Sequence, residues 1–237
     1  MRSYSLLSQI TTLIFLSIFC GSCEVTRTQT KQEPQQTQLE KPEFNIVYDD
    51  LVVKESDYLM IPIRVSEENK GRESIFSSKA SYYDARKNFY NIIFYHKQDG
   101  RTHLLLNKKA VITSFDFLEK KEKDKPSQRF IIYRIIENDT NKDNKLTYED
   151  ASIGYLSDVS GKNLQQITPN NTQLLNWTVV QSANALFLKI TKDSNNDNKF
   201  TDKDKTNFIK MNLDKPGIGN EIISEQTEQQ IKSLLAK

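Results

Sequence analysis

Cysteine and histidine are nearly absent. The only two cysteines, Cys20 and Cys23, close an apolar N-terminal run, so the rest of the chain has no disulfide framework to build on. Two histidines, His96 and His103, flank an Asp99-Gly100 turn. Facing strands could bring them together, but no cysteine or third histidine completes a zinc set, which favours surface or hairpin-face roles. Glycine is scarce too. Seven glycines leave little room for a phosphate-cradling loop, and neither a Gly-x-Ser-x-Gly elbow nor a His-Glu-x-x-His motif occurs. Catalytic chemistry therefore has no visible home. There is also no charge excess: 33 basic and 31 acidic residues give a net charge of +2, too balanced to point to nucleic acid. With 37% hydrophobic and 10% aromatic residues, the chain can still build a core.

The one apolar run, Leu13 to Phe19, follows Arg2 and is too short to span a bilayer, an arrangement typical of a secretory signal. It leads into Cys20-Gly21-Ser22-Cys23, which resembles a bacterial lipobox. Gly21 and Ser22 are the small residues before the cut, and Cys23 is the lipidation candidate. Cys20 stands where that family usually has leucine. The resemblance implies a signal peptide over 1–22 and a membrane anchor through the N-terminal lipid, stable when two or three acyl chains insert. Residues 23–42 are rich in Gln, Thr and charge and read as a disordered tether; 43–237 reads as a single folded domain.

That domain reads as all-β. Segments rich in Ile, Val, Tyr and Phe recur at 44–48, 58–65, 90–95, 103–106, 111–117, 129–136, 153–159, 175–180, 185–191 and 207–213, bounded by Asp, Asn, Gly and Lys. Three stretches share a strand, a turn and a second apolar end: 91–106, 153–169 and, more weakly, 207–222. Gln166-Ile167-Thr168-Pro169, Asn176-Trp177 and Ala185-Leu186-Phe187 resemble the blade repeat of Tol-type periplasmic propellers. The resemblance implies four-stranded antiparallel blades. Three units fall short of the usual closed ring, so the expected architecture is an antiparallel meander of three propeller-like units, an open propeller or sandwich. Thr227-Glu228-Gln229-Gln230 predicts a capping box for a short C-terminal helix carrying Ile231, Leu234 and Leu235.

The segment from Asp139 to Asp150 carries side-chain oxygens at positions 1, 3, 5, 9 and 12, the spacing of an EF-hand calcium loop. The frame returns 54 residues later, from Asp193 to Asp204, with seven of twelve positions identical. The expected ligands are Asp139, Asn141, Asp143, Lys145 through its carbonyl, Thr147 through water, and Asp150. In the second loop they are Asp193, Asn195, Asp197, Lys199, Thr201 and Asp204. The loops are similar to those of dockerins and other bacterial calcium modules. Two positions depart from that pattern: position 6, usually glycine, is Asn144 and Asn198, and position 12 is aspartate rather than the longer glutamate, which should weaken binding. Leu146 and Phe200 at position 8 are expected to point inward. Strand-like sequence precedes both loops, so cohesin binding is not expected. Metal-free Asp/Asn turns are the plainer alternative.

Together these features predict a lipid-anchored bacterial envelope protein, not an enzyme, in which two weak structural calcium ions stiffen a β scaffold that binds an envelope protein or a glycan. The alternative is a calcium-dependent extracellular polysaccharide-processing enzyme, drawing on surplus acids such as Asp49, Asp50 and Asp84. Trp177 and the Tyr82-Tyr83 pair are candidates for sugar stacking, with core packing the plainer role for Trp177. The mixed-charge run Glu119 to Pro126 reads as an exposed loop, with a polyanion contact as the sharper alternative.

Overall fold

A computed structural model describes residues 45–66, 88–121 and 123–236. The signal segment, the tether, Cys23, Tyr82, Tyr83 and Asp84 lie outside the described residues. The described chain is predominantly β, with thirteen strands in three antiparallel sheets and one short C-terminal helix. Each sheet is a meander in chain order.

The first sheet contains β1 (Asn45–Tyr48), β2 (Val52–Val53), β3 (Tyr58–Ser66), β4 (Asn91–His96) and β5 (Thr102–Leu104). Both β1 and β2 pair with β3, one after the other, and so form a single interrupted edge; the sheet is four strands wide. The second sheet holds β6 (Val111–Lys120), β7 (Gln128–Ile136), β8 (Ile153–Asp158) and β9 (Gln165–Gln166). The third holds β10 (Thr172–Val180), β11 (Ala185–Lys192), β12 (Lys205–Asn212) and β13 (Asn220–Glu221).

The three repeats read from the sequence are the third and fourth strands of the three sheets. Their equivalence extends to single bonds. Leu105 N–H donates to Ile92 O, Ile167 N–H to Gly154 O and Ile222 N–H to Phe208 O, at 2.9, 2.8 and 2.8 Å. In the outer two sheets an asparagine clamps this hairpin. Asn91 bonds both Leu106 backbone groups, and Asn207 bonds both Ile223 backbone groups. The second sheet has Ile153 at that place, and there the Thr168 hydroxyl accepts from Gly154 N–H at 2.8 Å. Bulges repeat as well: β6 shifts register between Ile112 and Ser114, and β10 between Leu174 and Asn176.

Alternation along β7 explains the layering. Ile131, Tyr133 and Ile135 enter a core shared with Met60, Ile92 and Phe94 of the first sheet. Ile132 faces the other way, with Leu118 and Leu156, into a core shared with Leu186, Leu188, Ile190, Ile209 and Met211 of the third. The middle sheet is thus buried on both faces, which is why Phe130 to Ile136 reads as a nearly unbroken apolar run. Gly161 shows how tightly the layers meet. It has φ +76°, and a Cβ there would lie 2.3 Å from the Phe94 ring.

Several details differ from the sequence reading. The helix α1 spans Glu225–Leu235 and is capped by Ser224, whose hydroxyl accepts from Thr227 N–H at 3.2 Å, so the cap lies three residues before Thr227. Ser224 holds extended backbone (φ −76°, ψ 159°), the conformation an N-cap needs. In the mixed-charge run, Lys120 is only 2% exposed and pairs with Asp214. Burial of its long stem and a carboxylate partner draw it out of solvent. Among the described residues no helix is long and apolar enough to cross a membrane.

Candidate functional site

Both acidic loops occupy the same place in their sheets, linking the second strand to the third: β7 to β8 and β11 to β12. Most of their internal hydrogen bonds recur at equivalent positions. Asp143 N–H donates to Asp139 Oδ1 and Asn141 Oδ1, at 3.1 and 3.0 Å, and Asp197 N–H repeats this with Asp193 and Asn195 at 3.1 and 3.1 Å. Asn144 and Asn198 N–H donate to the other oxygen of the position-1 aspartate, at 2.7 and 3.0 Å. Lys145 and Lys199 N–H donate to Asp143 and Asp197, at 2.8 and 2.9 Å.

This stitching bends the chain so that the position-1 and position-3 side-chain oxygens meet at one backbone N–H, that of position 5. It requires a left-handed backbone at two places. Asn144 and Asn198 at position 6 have φ of 66° and 59°, as the spacing predicts, and position 4 joins them with Lys142 at 63° and Asn196 at 58°. Asparagine tolerates this conformation best among residues with a Cβ. The lysine at 142 has no such excuse and sits there because the flanking Asx turns dictate it.

At position 12 the carboxylates take backbone N–H groups of their own loop. Asp150 is fully buried, and its carboxylate accepts from Thr140 N–H at 2.8 Å, Asn141 N–H at 3.3 Å and Thr147 N–H at 2.9 Å. Asp204, 8% exposed, accepts from Ser194 and Thr201 N–H at 3.1 and 2.9 Å. The Thr201 N–H foremost, with further help from Ser194, holds the Asp204 carboxyl below its usual range. These aspartates tie the two ends of each loop together. Among the described residues no three His, Cys, Asp or Glu side chains already converge as a closed metal cluster.

The donor set remains of the right kind. Oxygens of Asp139, Asn141 and Asp143 each carry a second lone pair after accepting a backbone N–H. Asp139 and Asn141 are half-buried and Asp143 is exposed, so a hard cation can approach from solvent. In the second loop Asn195 donates its amide to Asp197 at 2.8 Å, a bond that a cation would compete with. Leu146 is half-buried, and Phe200, also half-buried, packs against the core between the first two sheets. Just before the first loop, Glu137 accepts from the Tyr155 hydroxyl at 2.8 Å and pairs with Lys108 at 2.5 Å, which anchors the loop's entry. Burial foremost, and then the Glu137 contact, push the Tyr155 phenol up.

Both histidine rings flank Tyr58, with centroids 4.8 and 5.8 Å from its ring. His96 pairs with Asp99 at 2.7 Å, whereas His103 stacks on Phe94 with 5.4 Å between ring centroids and bonds Ser160 O at 2.8 Å. Trp177 packs against the core between the second and third sheets and carries Arg134 over its ring at 4.7 Å. Sequence reasoning missed Arg134. The signal was available as a lone cation inside the run Phe130-Ile131-Ile132-Tyr133-Arg134-Ile135-Ile136. Comparison with protein families, curated proteins and solved structures finds no match to this chain.

Proposed function

We propose that the chain is a lipid-anchored envelope protein whose β scaffold is stiffened by two calcium ions and serves binding or assembly rather than catalysis. The observation that carries the reading is the pairing of the loops: two twelve-residue segments in equivalent positions share ligand-type residues, left-handed positions and hydrogen bonds. A turn needs only a few of those features, whereas a cation needs oxygens in register.

In this reading Asp139, Asn141, Asp143 and the Lys145 carbonyl hold the first ion, and Asp193, Asn195, Asp197 and the Lys199 carbonyl the second. Thr147 and Thr201 act through water. Asp150 and Asp204 either rotate to the ion or pre-shape the loop through the backbone. Affinities of about 10⁻⁴ to 10⁻³ M suit a module outside the cytosol. The anchor reading rests on Arg2, the apolar run and Cys23, and the binding role on the motifs the chain lacks. Calorimetric titration of calcium tests the metal assignment. Two sites are expected in the wild type and one in each of Asp143→Ala and Asp197→Ala; absence of binding heat at millimolar calcium would reduce the loops to polar turns.

A further inference from the structure

Among the clefts on the described surface, two of ligand size differ in how their polar groups are engaged. The larger, about 710 Å³, lies between Lys54-Glu55-Ser56, Lys97, Glu119 and Arg129, but its cations are already engaged. Arg129 donates to the Glu55 carboxylate at 2.9 Å, and Lys97 to Ser56 O at 2.6 Å.

The smaller cleft, about 460 Å³, is built differently. Its polar lining is Asn88, Thr113, Arg134, Tyr148, Ser152 and Gln173, with no aspartate or glutamate among the lining residues. Arg134 sits between the buried Tyr133 and Ile135 on the central sheet. Of its N–H groups, one donates to the Leu175 carbonyl in the β10 bulge, and among the described residues its Nε has no partner and no carboxylate pairs with it. Its guanidinium also lies over the Trp177 ring, 4.7 Å from the centroid. The Ser152 hydroxyl is also unpartnered in a residue only 6% exposed, and so is the hydroxyl of Ser114, which lies directly across the ladder from Arg134. A half-buried cation with no counter-charge among the described residues is an electrostatic cost. An anion in the cleft relieves it.

We propose that this cleft binds the carboxylate of an acidic sugar. The guanidinium supplies the planar, charge-assisted donor that carboxylates take best. Hydroxyl and amide groups of Thr113, Ser152, Gln173 and Asn88 suit sugar hydroxyls, and the volume lies within the range of ordinary ligand pockets. Tyr148, 77% exposed at the rim, offers a flat ring, and Gln173 donates to its backbone carbonyl at 3.2 Å. The site does not depend on the calcium reading, although Tyr148 belongs to the first loop.

The test is a ¹H–¹⁵N NMR titration of the full chain with glucuronate, glucose and acetate, without added calcium. Glucuronate should give saturating shifts at the amides of Tyr148, Ser152 and Gln173, with glucose giving none and acetate binding more weakly. Arg134→Met, which keeps an apolar stem against Trp177, should weaken glucuronate at least tenfold. Ser152→Ala should weaken it with an unchanged melting temperature, so the test stands even where Arg134→Met fails to fold. Binding should persist in the Asp143→Ala/Asp197→Ala double variant, which separates this site from the loops. The proposal is overturned by the absence of saturable shifts, by equal binding of glucose or acetate, by unchanged affinity in a folded Arg134→Met, or by loss of binding in the loop variant.

Discussion

At the scale of single residues, three positions carry sharp expectations. Gly161 combines a left-handed backbone with van der Waals contact against Phe94 of the neighbouring sheet. Gly161→Ala should cost about 2–4 kcal/mol, from the left-handed penalty and overpacking together, read as a lowered denaturation midpoint in urea. Asn144 holds φ 66° in the first loop, so Asn144→Ala should destabilise by about 1 kcal/mol while Asn144→Gly is neutral or better. Asp204 sets a pH dependence. Its carboxyl is held below the ordinary value of 3.8, chiefly by the Thr201 N–H, so the folded state binds its proton less readily than the unfolded chain. The stability it contributes is complete above that ordinary value and is lost as pH falls through the lower folded one. Urea midpoints measured from about pH 5 down to pH 2 should fall less steeply in Asp204→Asn than in the wild type. The buried role of Asp204 was not legible in the sequence, because spacing marks an oxygen at position 12 but does not say whether backbone N–H groups or a cation will claim it.

At the scale of elements, strands are legible where side chains alternate or run apolar, and are not where pairing is too brief to leave a pattern. β9 and β13 are two-residue strands, Gln165–Gln166 and Asn220–Glu221, with no apolar alternation at all; the clamps of Asn207 and Thr168 hold the chain there instead. The third-to-fourth-strand hairpins were legible as repeats because they conserve a buried strand and a turn. At the first sheet's edge the strand at 44–48 was legible as β1, but its continuation in the two-residue β2 was not, since the two share one partner strand across an interruption at Asp49 to Leu51. The helix α1 buries none of its residues and is tied back by the Lys205–Glu228 pair at 3.1 Å. Its stability is therefore local. Ser224→Ala should cost the helix about 1 kcal/mol, seen as faster hydrogen exchange of its amides, with the melting temperature of the sheets unchanged.

At the scale of the whole molecule, the central sheet is the organiser. It packs one face on each neighbour and presents the first acidic loop at one of its turns, while the third sheet presents the second loop at the equivalent turn. A cation in each loop would brace the excursion between the second and third strands of two stacked sheets, so occupancy should register in global unfolding rather than only in loop mobility. The most direct measurement is thermal unfolding with and without about 10 mM calcium, in the wild type and in Asp143→Ala/Asp197→Ala. With affinities near 10⁻⁴ to 10⁻³ M, each ion adds about 1.4–2.7 kcal/mol, and two together raise the melting temperature by on the order of 10 °C. That rise should appear in the wild type, reverse with chelator and vanish in the double variant; a wild-type melting temperature indifferent to calcium would rule out calcium bracing of the sheets.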